Sequence, residues 1–203
     1  MPLSSPTVPR EHIHTRAIDA RGYLREDGLW DVEAHLTDVK TYPFDNHFRG
    51  VLAPGQPVHE MWIRLTLDDR LFIHEIEAVT DASPYAICPA ITDNFKRLKG
   101  LSIRPGFTGK VRELLGGTEG CTHLVELMGP LATAAYQTIY PYRERKRREG
   151  AKSPSPKPGR KPHLIDTCHA FAADGEVVKR YWPDFYTGTS SGNNPTGTRG
   201  SPR

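Results

Sequence analysis

The chain has 203 residues, of which 37% are hydrophobic and 25% charged, and this length favours one domain or one domain with an appendage. Its formal net charge is +3, and no apolar run reaches the roughly 18 residues that a membrane-spanning helix needs. The N-terminal residues lack the features of a signal peptide, and three cysteines do not indicate a disulfide framework. We therefore expect a cytoplasmic protein that does not bind membranes.

The first half of the chain predicts four strands in two hairpins. Apolar and polar side chains alternate with the period of two that half-buried strands show. Asp27-Gly28 is a turn signal in the first hairpin, residues 68–70 form the turn of the second, and an irregular stretch covers 42–57. The predicted strands are 11–20, 29–38, 59–67 and 71–79.

The second half predicts helices. One begins at Pro89 and stops at Gly100, a second covers 107–115, and a third starts at Thr118 as its N-cap and is kinked at Gly129-Pro130. Residues 164–186 fit either a hairpin around Asp174-Gly175 or a short helix with a strand. This order predicts an α+β fold, an antiparallel sheet of about four strands followed by two or three helices.

Positive charge is concentrated in residues 143–161, which hold nine basic and two acidic side chains. No aromatic residue interleaves these charges, so the segment predicts a solvated linker and not a specific nucleic-acid site. The predicted organisation is a flexible N-terminus (1–9), a core domain (10–142), a basic Lys/Pro/Ser linker (143–162), a C-terminal segment packing back on the core (163–186) and a disordered tail (187–203).

Two cysteines, Cys88 and Cys121, stand at the starts of predicted helices. Partial positive charge and free N–H groups at a helix start favour a thiolate, which suits nucleophilic attack or a soft metal ion. Cysteine is also a small apolar side chain that is commonly buried and inert, and both interpretations stay open. The sequence contains no Cys-x2-Cys pair, so it does not indicate a zinc knuckle.

Histidines and carboxylates supply the candidate acid–base groups. His123 and Glu126 are three residues apart on a predicted helix, where the pair forms either a general base with its orienting carboxylate or a surface contact. His59 heads the apolar face of its strand, where it either satisfies a hydrogen bond or faces a cavity. Glu75 and Glu77 interrupt a strand face that also holds Leu71 and Ile73, a costly arrangement unless they are paired or functional.

Several motifs that would indicate other enzyme classes are absent. The sequence contains no glycine-rich nucleotide-binding loop, no Gly-x-Ser-x-Gly and no His-Glu-x-x-His. Nucleotide-dependent and classical hydrolase functions are therefore disfavoured.

Six strings of the sequence carry a resemblance to other proteins. They are Asp81-Ala-Ser-Pro-Tyr85, Ile87-Cys-Pro89, Gly100-Leu-Ser-Ile-Arg-Pro-Gly-Phe107, Val111-Arg-Glu-Leu-Leu-Gly-Gly117, Gly120-Cys-Thr-His-Leu124 and Pro130-Leu-Ala-Thr-Ala-Ala135. These strings resemble a bacterial family that carries only a domain-of-unknown-function label, and the resemblance covers about residues 10 to 185. It implies a link to the degradation of aromatic compounds, and to cofactor-free lyases that release formaldehyde from lignin-derived dimers. We expect an aromatic small-molecule substrate contacted by Tyr85, Cys88, Cys121 and Trp62, and a homo-oligomer.

A second resemblance is to the fold of NifU/IscU-type iron–sulfur scaffolds. In those proteins a hairpin, a cysteine-led helix with a Lys-Gly end and a later cysteine-led helix follow in this order, as residues 59–79, Cys88 with Lys99-Gly100, and Cys121 do here. The chain has Val-His-Glu at 58–60 where the scaffolds carry a further cysteine. The resemblance implies a pocket where both cysteines, His59 and His123 converge.

These observations lead to one principal hypothesis and two alternatives. The principal hypothesis is a cofactor-free carbon–carbon lyase in which His59 or His123 removes a proton and Glu126 or Glu75 assists. The first alternative is a metal or iron–sulfur protein that binds zinc or a cluster through Cys88, Cys121 and the two histidines. The second is a non-catalytic binding protein that uses the basic linker.

Overall fold

The computed structural model describes residues 3–150, 161–162 and 164–188, and the chain divides into two compact units, Met1–Ala151 and Lys152–Arg203. The first unit contains two sheets and two α-helices. Its elements are β1 (His14–Leu24), β2 (Trp30–Lys40), β3 (Phe44–Asn46), β4 (Gly50–Leu52), β5 (Pro57–Leu67), β6 (Ile73–Ala82), a 3-10 segment (Cys88–Leu98), α1 (Phe107–Leu115), a 3-10 turn (Gly117–Glu119) and α2 (Thr122–Gly150).

The main sheet has four antiparallel strands in the order β1-β2-β5-β6, and β3 pairs with β4 in a separate two-stranded sheet. The predicted α+β class and the four-stranded antiparallel sheet are confirmed. Both predicted hairpins are also present, with β1 paired to β2 across Asp27-Gly28 and β5 paired to β6 across residues 68–72. The predicted irregular stretch 42–57 contains the short β3–β4 hairpin.

One face of the main sheet, here called the inner face, is covered by helices. The period of two places alternate residues of β2 and β5 on this face, and the helical spacing of α2 turns one apolar stripe toward it. Burial of these side chains supplies the main driving force for folding of this unit. The core includes Trp30, Val32, Ala34 and Leu36 of β2, Met61, Ile63, Leu65 and Leu67 of β5, and Leu124, Leu127, Leu131 and Ala135 of α2.

Close packing of α2 on the edge strand β1 depends on Gly22. A Cβ atom at this position would lie 2.0 Å from Oγ1 and 2.6 Å from Cβ of Thr138 on α2. Both Cβ atoms are fixed to their backbones and cannot rotate apart, so α2 would have to move away from the sheet.

We expect Gly22→Ala to lower the free energy of unfolding by about 1–3 kcal/mol, the usual cost of overpacking. Urea unfolding followed by circular dichroism measures this change. Gly109→Ala is the matched control, since a Cβ at Gly109 meets open space and alanine favours the α1 helix. Equal stability of Gly22→Ala and the wild type would show that this contact is not tight.

Two predictions of local structure are corrected. The segment that begins at Cys88 is a 3-10 helix and not an α-helix. Thr118 is not the N-cap of the third helix, because Gly117–Glu119 form a separate 3-10 turn and α2 begins only at Thr122. Helix propensity is a weak guide to such details, because tertiary context commonly overrides it.

The second unit, within its described residues, contains α3 (Glu176–Tyr181) between 3-10 turns at His169–Phe171 and Pro183–Phe185. Of the two alternatives predicted for residues 164–186, the hairpin around Asp174-Gly175 is wrong, because the Gly175 carbonyl accepts a hydrogen bond from the Lys179 amide at the start of α3. The short helix is present as α3, and no strand accompanies it among the described residues of this unit. Residues 143–150 of the predicted linker continue α2, whereas residues 151–160 of the linker and residues 189–203 of the predicted tail lie outside the described residues. The predicted packing of 163–186 on the core stays a prediction. Among the described helices, none is long and apolar enough to cross a membrane.

Candidate active site

A row of polar side chains closes one end of the inner face. Arg16 on β1 is the register partner of Asp38 on β2, and Asp38 is the partner of His59 on β5. Directly opposed residues of neighbouring strands share a face, so all three side chains lie together. Asp38 follows Leu36 along the apolar face of β2, and His59 precedes Met61 along that of β5. The row therefore lies where the apolar core ends.

Asp38 is the centre of this row and is only 3% exposed. Its Oδ1 accepts a hydrogen bond from Arg16 Nε at 2.9 Å, and its Oδ2 accepts one from Arg16 Nη2 at 2.7 Å. Two imidazole nitrogens complete the set, His14 Nε2 at 3.0 Å from Oδ1 and His59 Nδ1 at 3.1 Å from Oδ2. Burial alone would raise the pKa of Asp38, but the hydrogen bonds and charge of Arg16, the charge of His59 and the His14 hydrogen bond lower it to about 2.

The position of His59 fixes its tautomer. Because Asp38 is ionised at neutral pH, the neutral His59 ring must carry its proton on Nδ1 to donate to this carboxylate, which leaves the Nε2 lone pair available. Burial lowers the pKa of His59, and the charge of His123 lowers it further, while Asp38 acts in the opposite direction. His59 is therefore a neutral base at neutral pH.

His123 lies in the first turn of α2 and stacks on His59, with ring centroids 3.8 Å apart and ring planes inclined by 30°. Its Nε2 lies 3.9 Å from Oδ2 of Asp38. Burial lowers the pKa of His123 and so does the charge of Arg16, against the opposing charges of Asp38 and Glu126. The two predicted catalytic histidines thus lie together, and both are neutral near pH 7.

Cys121 is held beside this pair by the chain that leads into α2. Gly120 passes so close to α1 that a Cβ there would lie 2.2 Å from the Leu115 carbonyl oxygen. The Cys121 carbonyl then accepts the first hydrogen bond of α2, from the Val125 amide at 2.9 Å. Its partly buried thiol sulfur lies 3.8 Å from Nδ1 of His123 and 3.9 Å from Sδ of Met61. The Cys121 thiol is therefore in contact with His123 and lies at the same end of the inner face.

Glu126 reaches the site indirectly. Its carboxylate forms an ion pair with Nη1 of Arg16, and Arg16 also binds Asp38. Within this site the carboxylate that is hydrogen-bonded to histidines is that of Asp38, through His14 and His59. The prediction that Glu126 orients His123 is wrong in this respect, because the contact of the Glu126 carboxylate is with Arg16. Arg16 ties β1, β2 and α2 together at this point.

Glu75 and Trp62 lie on the opposite, outer face of the sheet. A register shift between Thr66 and Leu67 changes the alternation of β6, so the Glu75 carboxylate faces outward and pairs with Lys99. The Trp62 ring stacks on His35 with centroids 3.6 Å apart. Neither side chain meets the histidine pair, and the prediction that Glu75 shares a face with Ile73 is wrong.

Tyr85 and Cys88 are also not brought to the histidine pair by any contact of the described residues. Tyr85 is 53% exposed, and its ring packs edge-on against Phe48. Cys88 begins the 3-10 segment, and its amide donates to the Tyr85 carbonyl. Among His, Cys, Asp and Glu side chains in the described part of the chain, the group whose donor atoms converge, all within 4.8 Å, is Asp38, His59 and His123.

Asp38, Arg16 and His14 were not predicted from the sequence as site residues. The signal for Asp38 was present, since it continues the apolar face Trp30–Leu36 at the spacing of two. His14 lies on the solvent side of the site, since its side chain is 37% exposed whereas that of its partner Asp38 is 4% exposed.

Comparison with protein families places residues of this site in a known family. The model of a protein family described as a protein of unknown function, DUF2889, matches residues 14–137, a range that contains the whole row and the histidine pair. No curated protein and no solved structure matches the chain. Because the matched range covers more than half of the sequence, the chain belongs to this DUF2889 family.

Proposed function

We propose that the protein is an acid–base lyase that acts on a small aromatic alcohol and releases formaldehyde without a cofactor. The observation that carries the proposal is the stacked pair His59 and His123, with His59 anchored to a buried, ionised Asp38 through Nδ1. A general base near neutral pH needs an imidazole that is neutral, oriented and free at its second nitrogen. His59 is neutral and oriented, and none of the hydrogen bonds among the described residues uses its Nε2.

The proposed reaction needs two proton transfers. His59 Nε2 takes the hydroxyl proton of a hydroxymethyl substituent, the adjacent carbon–carbon bond breaks, and formaldehyde departs. The electron pair stays on the substrate carbon, which then takes a proton from the imidazolium. An aromatic ring beside this carbon delocalises the negative charge, which is the chemical reason for an aromatic substrate.

The surroundings of His59 suit both transfers. The negative charge of Asp38 stabilises the imidazolium formed in the first transfer. The neighbouring His123 and Arg16 lower the pKa of His59, which favours return of the proton in the second transfer. The base and the acid of the cycle are therefore one residue, and Arg16 and Asp38 position it.

A metal centre is the second candidate, because Asp38, His59 and His123 bring three donor atoms within 4.8 Å. The geometry fits it less well. Two imidazoles bound to one ion through bonds of about 2.1 Å would have centroids about 5 Å apart, with their planes meeting at the ion. The observed rings are stacked at 3.8 Å, and both Asp38 oxygens already accept hydrogen bonds.

The other two alternatives receive less support. An iron–sulfur site of the NifU/IscU type would require Cys88, which is not in the convergent group of the described residues. In the described part of the basic segment, several side chains are paired within the chain, among them Arg143 with Asp69 and Arg147 with Glu144. Such pairing leaves less charge for an acidic partner.

The test is formaldehyde release from a panel of lignin-type aromatic dimers that carry a hydroxymethyl group. We expect release from at least one dimer, no release when methyl replaces hydroxymethyl, and no loss of activity after treatment with EDTA. His35→Asn is the matched control variant, since His35 also stacks on an aromatic ring and contacts a carboxylate, Glu60, but on the outer face. Activity that disappears with EDTA and returns with zinc would favour the metal centre.

A further inference from the structure

We propose that Cys121 is a second reactive group, a nucleophilic thiol whose base is His123, and that it adds to small aldehydes. This inference goes beyond the proton transfers assigned to His59 and does not depend on them. It concerns a different nucleophile, a different histidine and a reaction that needs no aromatic substrate.

The geometry places a nucleophile, a base and an orienting acid in sequence. Sγ of Cys121 lies 3.8 Å from Nδ1 of His123, and Nε2 on the other side of the same ring lies 3.9 Å from Oδ2 of Asp38. This order of groups is the arrangement that activates thiols and hydroxyls for covalent catalysis. Contacts of this kind are commonly long in the absence of substrate and shorten when it binds.

The surroundings of Cys121 distinguish it from an inert core cysteine. The thiol is partly buried at the end of the inner face, and the start of α2 fixes its position. Its single proton has two acceptors within reach, Sδ of Met61 and Nδ1 of His123, and an imidazole nitrogen is the stronger acceptor. Among the cysteines in the described part of the chain, Cys121 is the one whose sulfur contacts an imidazole nitrogen.

The proton balance identifies the class of electrophile. As Sγ attacks a carbonyl carbon, its proton passes to Nδ1 of His123 and the carbonyl electron pair moves to oxygen. That oxygen then takes the same proton from the imidazolium, which gives a hemithioacetal and restores the neutral base. The reaction consumes no oxidant or other reagent, so an aldehyde is a complete substrate for this group.

The experiment measures alkylation of the full chain by iodoacetamide near pH 7, residue by residue, with peptide mass spectrometry. The exposed Cys168 supplies the internal reference. We expect Cys121 to react about tenfold faster than Cys168 despite its lower exposure, since assistance by a neighbouring histidine outweighs access. In His123→Gln we expect this advantage to disappear. Formaldehyde should protect Cys121, and dilution should reverse the protection.

Two controls separate a chemical effect from a loss of structure. Circular dichroism verifies the fold of His123→Gln, and His35→Asn, altered on the outer face, should leave the rate at Cys121 unchanged. Slower reaction of Cys121 than of Cys168, or an unchanged rate in a folded His123→Gln protein, would overturn the proposal. Fast alkylation without protection by formaldehyde would overturn the assignment of aldehydes. These results are independent of the lyase assay, which measures the formaldehyde release assigned to His59.

Discussion

Replacing Asp38 by Asn is expected to lower the free energy of unfolding by about 3 kcal/mol. The amide keeps the size of the side chain but carries no charge, and it places an N–H group where donors from Arg16, His14 and His59 already point. Removing one partner of a buried ion pair typically costs about 3–5 kcal/mol. We expect a loss at the lower end of this range, because in Asp38→Asn the Arg16 guanidinium retains its ion pair with Glu126. Urea unfolding with an unchanged m-value measures the difference.

The control for this variant is Asp19→Asn. Asp19 also pairs with an arginine, Arg21, on strand β1, but both side chains are more than half exposed. Exposed pairs contribute about 0–1 kcal/mol, so this variant should unfold almost as the wild type does. A similar loss in both variants would mean that burial of Asp38 contributes nothing.

Asp38 and the histidines also make stability depend on pH. The pKa of Asp38 falls from 3.8 in the unfolded chain to about 2 in the folded protein, so its contribution is complete above about pH 5 and is lost as pH falls toward 2. The pKa values of His59 and His123 are lowered by folding, so stability also decreases as pH falls below 6.5. In Asp38→Asn the loss at lowest pH should be absent, as acid titration by circular dichroism would show.

Local patterns predicted the strands and α1 because each depends on a period within one segment. Alternation located β2 and β5 to within two residues, and helical spacing located α1 at 107–115. The position of Glu75 could not be derived this way. The register shift beside Leu67 lets both Ile73 and Ile76 face inward. These residues are three positions apart, whereas strict alternation places only residues an even number apart on the same face. Pairing with β5 creates this shift, and sequence within β6 does not report it.

The site could be predicted only in part for a related reason. His59 and His123 were identified from their own segments, one at the head of an apolar strand face and one near a helix start. Their anchor, Asp38, became evident only when the register of β2 and β5 was known. Glu126 has the predicted spacing from His123, but Arg16 from the distant strand β1 binds its carboxylate. Spacing identified the residues, and only tertiary structure assigned their partners.

Replacing His59 by Asn is expected to reduce kcat/KM for the formaldehyde-releasing reaction by about 10²–10⁴-fold, the usual contribution of general acid–base catalysis. The Asn amide retains an N–H group where Nδ1 donates to Asp38, while the basic Nε2 is lost. Stability should therefore change little, which separates this variant from Asp38→Asn. A folded His59→Asn protein with near-full activity would remove His59 from the mechanism and leave His123 as the base.

The pH dependence of the wild type and two variants tests the same role without deleting the base. Activity should rise with pH through a midpoint below 6.5, because the pKa of His59 is lowered and only the neutral ring accepts a proton. Asp38 raises this pKa and His123 lowers it, so the midpoint should move down in Asp38→Asn and up in His123→Gln. Opposite displacements would follow from the charges around His59, whereas a purely structural role would lower activity at every pH and leave the midpoint in place.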